Sequence, residues 1–466
     1  MIEYGRDYPD ADDAVADPLP AEPWTEYGYA RRLIHVYGDR LRYVPAWRQW
    51  LVWSGCRWAA DTTGQSARWQ KAIARRITTD AMAITDREQR RSALNTARRG
   101  ESAAGVAGAL TLASTEQGIA VTPDDLDPDP YLINCRNGTL DLRTCELRTH
   151  DPANMITKLA GAAYDPGAAG TAWTRFLDRV QPDPAMRSYL SRLVGHALEG
   201  RVSEHVLPIF WGDGANGKGT FVGAVLAALG EYADAADPDL LTARTFDAHP
   251  AGVADLFGLR LAVLHETDAG RRLAEGTVKR LTGGDRIKAR RMRENFWSFD
   301  PSHTFAVLTN HKPRVSGTDE GIWRRLRLVP WPVVVPAEER DEALGDRLAL
   351  EADAVLAWVV AGYRDWRGQG LADPDAVTVA TRSYRDESDA LGRFVDECCL
   401  TMAGCRVRSS ELYATWSKWC ASEGEDPGSQ KAFSGRMQVR GYQTERTRLG
   451  AMWLGVGLAS DSEDAL

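Results

Sequence analysis

Apolar positions recur with two different periods along these 466 residues. From Arg42 to Trp58 the aromatic series Trp47, Trp50, Trp53 and Trp58 comes close to alternation, which predicts a hairpin turned at Ser54-Gly55 with one packed face. An Ala- and Arg-rich helical stretch follows, and Tyr131 to Arg148 predicts a second hairpin, turned at Asn137-Gly138. Residues 164 to 170 (YDPGAAG) have the composition of a linker. Trp173 to Leu198 has a helical pattern that leads into VLPIFW, Val206 to Trp211, a short uninterrupted apolar run of the buried-strand kind. From there to about Pro332 apolar strands alternate with helical stretches, which predicts an α/β core with a mainly parallel sheet covered on both faces. Pro336 to Leu371 reads as all-helical. After a break at Asp373-Pro374, residues 388 to 458 read as three helices and then turn-containing strands.

This pattern divides the chain into an acidic arm (1–23) expected to be disordered, an N-terminal α+β unit (24–165), the α/β core with a helical lid (171–371), a C-terminal module (388–458) and an acidic tail (459–466). The length exceeds one ordinary core, and 44% hydrophobic with 26% charged residues is a globular composition. No apolar run reaches membrane-spanning length and the first residues are acidic, so no membrane partner and a cytoplasmic location are expected. Seven cysteines, an odd number without a CxxC pair, point to reduced thiols; Cys398, Cys399, Cys405 and Cys420 lack zinc-site spacing, and no histidine follows His311. The formal charge of −8 excludes a protein that coats nucleic acid with its whole surface, while leaving room for a local basic channel.

Candidate chemistry begins at FWGDGANGKGTF, Phe210 to Phe221. Gly212, Gly214 and Gly217 permit a tight strand-to-helix turn in which backbone N–H groups, including those around Asn216 and Gly219, converge on phosphate oxygens at a helix N-terminus, with Lys218 reaching the terminal phosphates. The residue after the lysine is Gly219 where a magnesium-binding hydroxyl is usual, and the hydroxyl comes at Thr220. ATP and Mg2+ are the expected cofactors. LRLAVLHETDAG places Glu266 and Asp268 at the end of an apolar strand, expected beside the glycine loop, where carboxylates can hold magnesium and orient water. HTFAVLTN ends in Asn310, an amide able to contact the terminal phosphate or the attacking water. DEGIWRRLRLVPW carries the adjacent pair Arg324 and Arg325, either of which could neutralise transition-state charge at a neighbouring subunit. Finally, Val278 to Arg293 packs seven cations around Gly283-Gly284, and Lys279, Lys288 and Arg290 are candidate phosphate contacts to a nucleic-acid strand.

The order GDGANGKGT, LHETD, KRLTGGDRIKARR, VLTNHKP and DEGIWRRLRLVP resembles the superfamily 3 helicases of the phage/plasmid primase and poxvirus primase-helicase type, and flanking segments extend the likeness from about Trp24 to Leu458. The resemblance implies an AAA+-like P-loop ATPase that assembles as a homo-oligomeric ring, commonly a hexamer, and moves 3′ to 5′ on single-stranded or forked DNA in phage, prophage or plasmid replication within a bacterial host. It implies Lys218 as the phosphate-loop lysine, Glu266 and Asp268 as the second acidic motif, Asn310 as sensor, and Arg324 or Arg325 as finger. It gives the basic segment the role of a pore hairpin. Helix order and an Arg-rich turn make the C-terminal module winged-helix-like. Nothing before Trp24 is long enough for the primase-polymerase domain of full-length relatives, so primer synthesis is expected to be absent or supplied by a separate primase or polymerase chain as partner. Two other classes also use such a loop: a P-loop nucleotide kinase, which needs no basic hairpin, and an ATP-switched origin-binding or loading platform, which needs no water-activating carboxylate.

Overall fold

The computed structural model describes residues 19–243, 250–265, 271–290, 296–315, 319–448 and 450–459. At its centre five parallel strands lie in the order Leu326–Pro330, Leu207–Trp211, Thr304–Thr309, Leu261–His265 and Ala233–Ala235. Alternate residues enter two separate cores. Phe210, Val263, Leu308 and Val329 face one with the helices Pro184–His196, Lys218–Leu229 and Ala352–Gln369; Ile209, Leu264, Val307 and Leu328 face the other. Burial on both sides explains why these strands read as continuous apolar runs rather than alternating ones.

The strand order departs from one sequence expectation. The strand that leads to Glu266 is not the neighbour of the glycine-loop strand; Thr304–Thr309, which leads to Asn310, lies between them. Adjacency of this kind is set by crossover connections, which carry no local sequence signal.

N-terminally, the strands Leu41–Val44, Gln49–Trp53 and Trp58–Ala60 form an antiparallel sheet against a bundle of four helices, Glu26–Tyr37, Gln65–Met82, Arg87–Gly100 and Ala103–Ala113. Trp58 is buried and Trp50 and Trp53 are half-buried, so the aromatic series is core material. Trp47 reaches further, packing edge-on against Phe257 and Trp297 of the central unit. The second hairpin forms as expected, Leu132–Cys135 against Gly138–Asp141, but Ile133, Cys135 and Leu140 belong to the same hydrophobic core as Phe210 and Val355. In the segment read as a linker, Tyr164 and Gly170 are buried while residues 165–167 and 169 are exposed, and just beyond it the Ala172 and Trp173 amides donate to Glu351. Of the expected arm, residues 1–18 lie outside the described residues, and residues 22–23 are tied down by Arg32 through the carbonyls of Glu22 and Pro23.

The C-terminal module has its own core around Phe394, Trp416, Phe433 and Trp453. Helices Ala390–Cys398, Ser409–Glu423 and Gln430–Val439 precede a hairpin of Gln443–Thr447 and Gly450–Leu454, and Arg406–Arg408 adds a third strand that the sequence pattern missed. Among the described residues no helix is long and apolar enough to cross a membrane.

Two buried histidines make the fold acid-sensitive. His196 donates from Nδ1 to the Leu193 carbonyl at 2.6 Å and accepts at Nε2 from the Thr304 hydroxyl at 3.2 Å, the pattern of a neutral ring. Burial pushes His196 down to about 4, and burial likewise pushes His303 down to about 4 against the pull of the Leu281 carbonyl. The unfolded imidazoles bind protons near pH 6.5 that the folded ones refuse until about pH 4. Stability is therefore full above pH 6.5 and falls as pH drops through that window, by about 2 kcal/mol per histidine at pH 5. Thermal melts at pH 7.5 and pH 5 should show a clear drop in Tm that is reduced in His303→Gln; equal melting temperatures would contradict neutral burial.

Candidate functional site

The site grows from the C-terminal ends of the central strands. Parallel pairing sets Thr309 opposite Trp211 and Leu308 opposite His265, so the chain leaves three adjacent strands at nearly the same level. After Trp211 the backbone turns through residues 212–217 into the helix Lys218–Leu229. Gly212 has φ 154°, and a Cβ there would lie 2.4 Å from the Trp331 carbonyl oxygen; Gly217 has φ 86°, and a Cβ there would lie 2.7 Å from the Val180 side chain. These two glycines are required by the turn. Ala215 also takes a left-handed conformation (φ 59°), which a non-glycine residue adopts only when held by its surroundings; its carbonyl accepts from the Val335 amide at 2.9 Å. Gly219 is different, because a Cβ there would meet nothing within 4 Å. The substitution of glycine for the usual hydroxyl is not imposed by packing.

The N-cap residue, Gly217, has no side chain to cap this helix, and its first amide, that of Lys218, donates to Oδ1 of Asn216 at 3.4 Å. Lys218 is buried. Its ammonium donates to the carbonyls of Gly212 and Asp213 and, at 3.1 Å, to Oδ1 of Asn310. Burial holds the Lys218 ammonium below its ordinary pKa, opposed by Asp213. The loop lysine and the strand-end amide, 92 residues apart, are thus brought together directly. Asn216 also has a structural part in the loop. Its side chain is buried and donates to the Trp331 carbonyl at 3.1 Å, stapling the loop to the end of the neighbouring strand. Glu266 and Asp268 lie outside the described residues; the strand before them ends at His265, which is exposed.

The arginine pair separates by environment. Arg325 is buried, donating to the Gly321 carbonyl at 2.6 Å and to the Thr282 hydroxyl at 3.2 Å, and burial lowers its pKa. Arg324 is exposed at the end of the short helix Glu320–Trp323, and its side chain makes no hydrogen bond or ion pair among the described residues.

The basic segment is rearranged relative to its reading from sequence. Gly283 and Gly284 follow the helix Glu275–Leu281 instead of turning the hairpin, whose strands are Ile287–Ala289 and Trp297–Phe299. Lys279 is held in an ion pair with Asp319, and Arg286 reaches Asp124 of the N-terminal unit at 2.9 Å. Both are occupied by structural partners. Lys288 and Arg290 are exposed, Ile287 and Ala289 being the buried alternates between them. Their cationic ends sit 4.9 and 4.7 Å from the ring of Phe296, which is 52% exposed. Phe296 was not singled out from sequence; an exposed aromatic flanked by cations across a strand pair becomes visible only once the register is known. Residues 291–295 lie outside the described residues.

Fold and site together define a mixed α/β protein whose glycine loop, lysine and strand-end asparagine converge at the carboxyl edge of a five-stranded parallel sheet. Its sequence is similar to two family models and to helicase-named viral proteins. Residues 30–182 match the family described as D5 N terminal like, and residues 210–325 match a family of unknown function (DUF5906). A helicase-named protein of Acanthamoeba polyphaga mimivirus is 27% identical over 323 residues, covering 64% of this chain and 34% of that protein. A second, from Invertebrate iridescent virus 3, is 22% identical over 357 residues, covering 67% and 36%. The chain spans about a third of the length of these curated relatives. The apo structure of the NrS-1 C-terminal region shares the fold, with a TM-score of 0.51 over 93% of this chain and 100% of that one at 10% identity.

Proposed function

We propose that this chain is a DNA-dependent ATPase and helicase that works as a homo-oligomeric ring, commonly a hexamer, on single-stranded and forked DNA. The observation that carries the reading is the junction of Lys218 with Asn310 at the N-terminus of the helix that follows the glycine turn. Backbone N–H groups of residues 214–220 would hold the phosphates of ATP, and Lys218 would exchange its carbonyl partners for the terminal phosphate oxygens. Asn310 would orient the attacking water. Bound magnesium would supply charge neutralisation between phosphate oxygens, with Thr220, Glu266 and Asp268 as its proposed ligands. Arg324, rather than the internally bonded Arg325, is the arginine we assign to a neighbouring subunit's site. The C-terminal module is proposed to be winged-helix-like.

Lys288, Arg290 and Phe296 form the proposed strand-gripping surface. Cations supply sequence-independent phosphate contacts and an exposed ring supplies base stacking, the pairing expected of a groove that holds any single strand. Steady-state ATP hydrolysis should rise severalfold on adding single-stranded DNA. Phe296→Ala and Lys288→Ala/Arg290→Ala should remove most of that stimulation while leaving the DNA-free rate within about twofold, because these residues are remote in sequence from the loop and carry no contact to it. Hydrolysis indifferent to DNA in the unmodified protein would instead favour a nucleotide kinase or an ATP-switched loading platform.

A further inference from the structure

We infer that the outer face of two N-terminal helices, Gln65–Met82 and Arg87–Gly100, is a docking surface for the phosphate backbone of duplex DNA, separate from the hairpin that is proposed to hold a single strand. In a chain of net charge −8, residues 65–100 carry nine lysines and arginines against three carboxylates. Lys71, Arg75, Arg87, Arg91, Arg98 and Arg99 are all exposed, and none makes an ion pair or a side-chain hydrogen bond among the described residues. Two of the three carboxylates are already engaged: Asp80 by Arg76 at 2.8 Å, and Asp86 as the N-cap that accepts from the Gln89 amide.

Helical periodicity gathers these cations into stripes. Lys71 and Arg75 are four apart, and Arg87, Arg91 and Arg98 follow at intervals of four and seven, so each set shares a line along its helix. Those lines lie opposite Ile73 and Ile77, which pack into the N-terminal core, on the first helix, and opposite the buried Ala93 and Thr96 on the second. The span from Arg87 to Arg98 is about 16 Å of helix, against which a duplex presents roughly one phosphate per 1.7 Å of axis.

The choice of duplex over single strand rests on what the face lacks. Its one tryptophan, Trp69, is buried and stacked on Tyr37, so the surface offers bases no exposed ring. Phosphate contacts without stacking suit a duplex, whose bases are already paired. The same N-terminal unit abuts the hairpin base through Trp47 against Trp297 and Asp124 against Arg286, so the proposed duplex and single-strand contacts belong to units packed on one another.

The test needs no nucleotide and so stands apart from the ATPase reading. Binding of the full chain to a blunt 30-base-pair duplex and to a single-stranded oligonucleotide is measured by fluorescence anisotropy across a salt series, for the unmodified protein, for Arg75→Ala/Arg91→Ala/Arg98→Ala and for the corresponding triple lysine variant. The alanine variant should bind duplex at least tenfold more weakly, with the slope of log affinity against log salt reduced by about 2 to 3, as expected for three lost phosphate contacts. Single-strand binding should change less than twofold, and the lysine variant should retain most of the duplex affinity. Unchanged duplex affinity in the alanine variant overturns the proposal, as does an equal loss on both nucleic acids or a lysine variant as weak as the alanine one.

Discussion

Arg324→Ala is expected to lower ATP turnover by roughly a thousandfold with little change in melting temperature, whereas Arg325→Ala should destabilise the protein by about 2 kcal/mol. The two residues are adjacent, yet their surroundings are opposite. Arg324 projects from the end of Glu320–Trp323 into solvent, free to meet charge that develops on a nucleotide held by another copy. Arg325 is spent inside its own chain on the Gly321 carbonyl and the Thr282 hydroxyl, and removing it leaves a buried acceptor unsatisfied. Subunit mixing separates a finger supplied in trans from a local effect. Arg324→Ala subunits, which keep Lys218, combined with Lys218→Ala subunits, which keep Arg324, should recover measurable turnover that neither shows alone. Mixtures as inactive as their components would rule out an inter-subunit role for Arg324.

Lys218→Ala should reduce hydrolysis by roughly two to three orders of magnitude, with and without DNA. Its ammonium is buried with backbone carbonyls and the Asn310 amide oxygen as its hydrogen-bond partners, and among the described residues no carboxylate forms an ion pair with it. A cation so placed contributes little to folding and is poised to favour an anion entering the loop. The variant should therefore melt within about 1 kcal/mol of the unmodified protein while losing turnover. Turnover at the unmodified rate would remove the glycine loop from the mechanism altogether. A large loss of stability would instead mean that the lysine acts chiefly as a strut between two strands.

Much of this molecule was legible before its structure, for reasons that are local. A hairpin at Asn137-Gly138 follows from turn chemistry at two positions, and the strand character of Leu207–Trp211 follows from an unbroken apolar run bounded by glycine. The glycine loop, its lysine and the N-terminus of the helix beyond it were readable because that motif is one contiguous stretch. What separates Phe296 from the other aromatics is exposure on a strand pair. Lys279 and Lys288 look alike in sequence, and only Asp319, 40 residues from the first, makes one of them an ion-pair partner and leaves the other in solvent.

The sequence by itself determined the kinds of element, the order of the motifs and the identity of the groups that could touch phosphate, since each depends on residues within a few positions of one another. Tertiary structure alone decided that Thr304–Thr309 separates the glycine-loop strand from the one leading to Glu266, and so that Asn310 is the partner of Lys218. It also decided that the second N-terminal hairpin shares the central core, and that Arg325 is bonded internally to Thr282 while Arg324 is exposed. Each of these is a contact between residues tens to hundreds of positions apart. Residue type and periodicity describe which face of an element is apolar; they do not say which other apolar face it will meet.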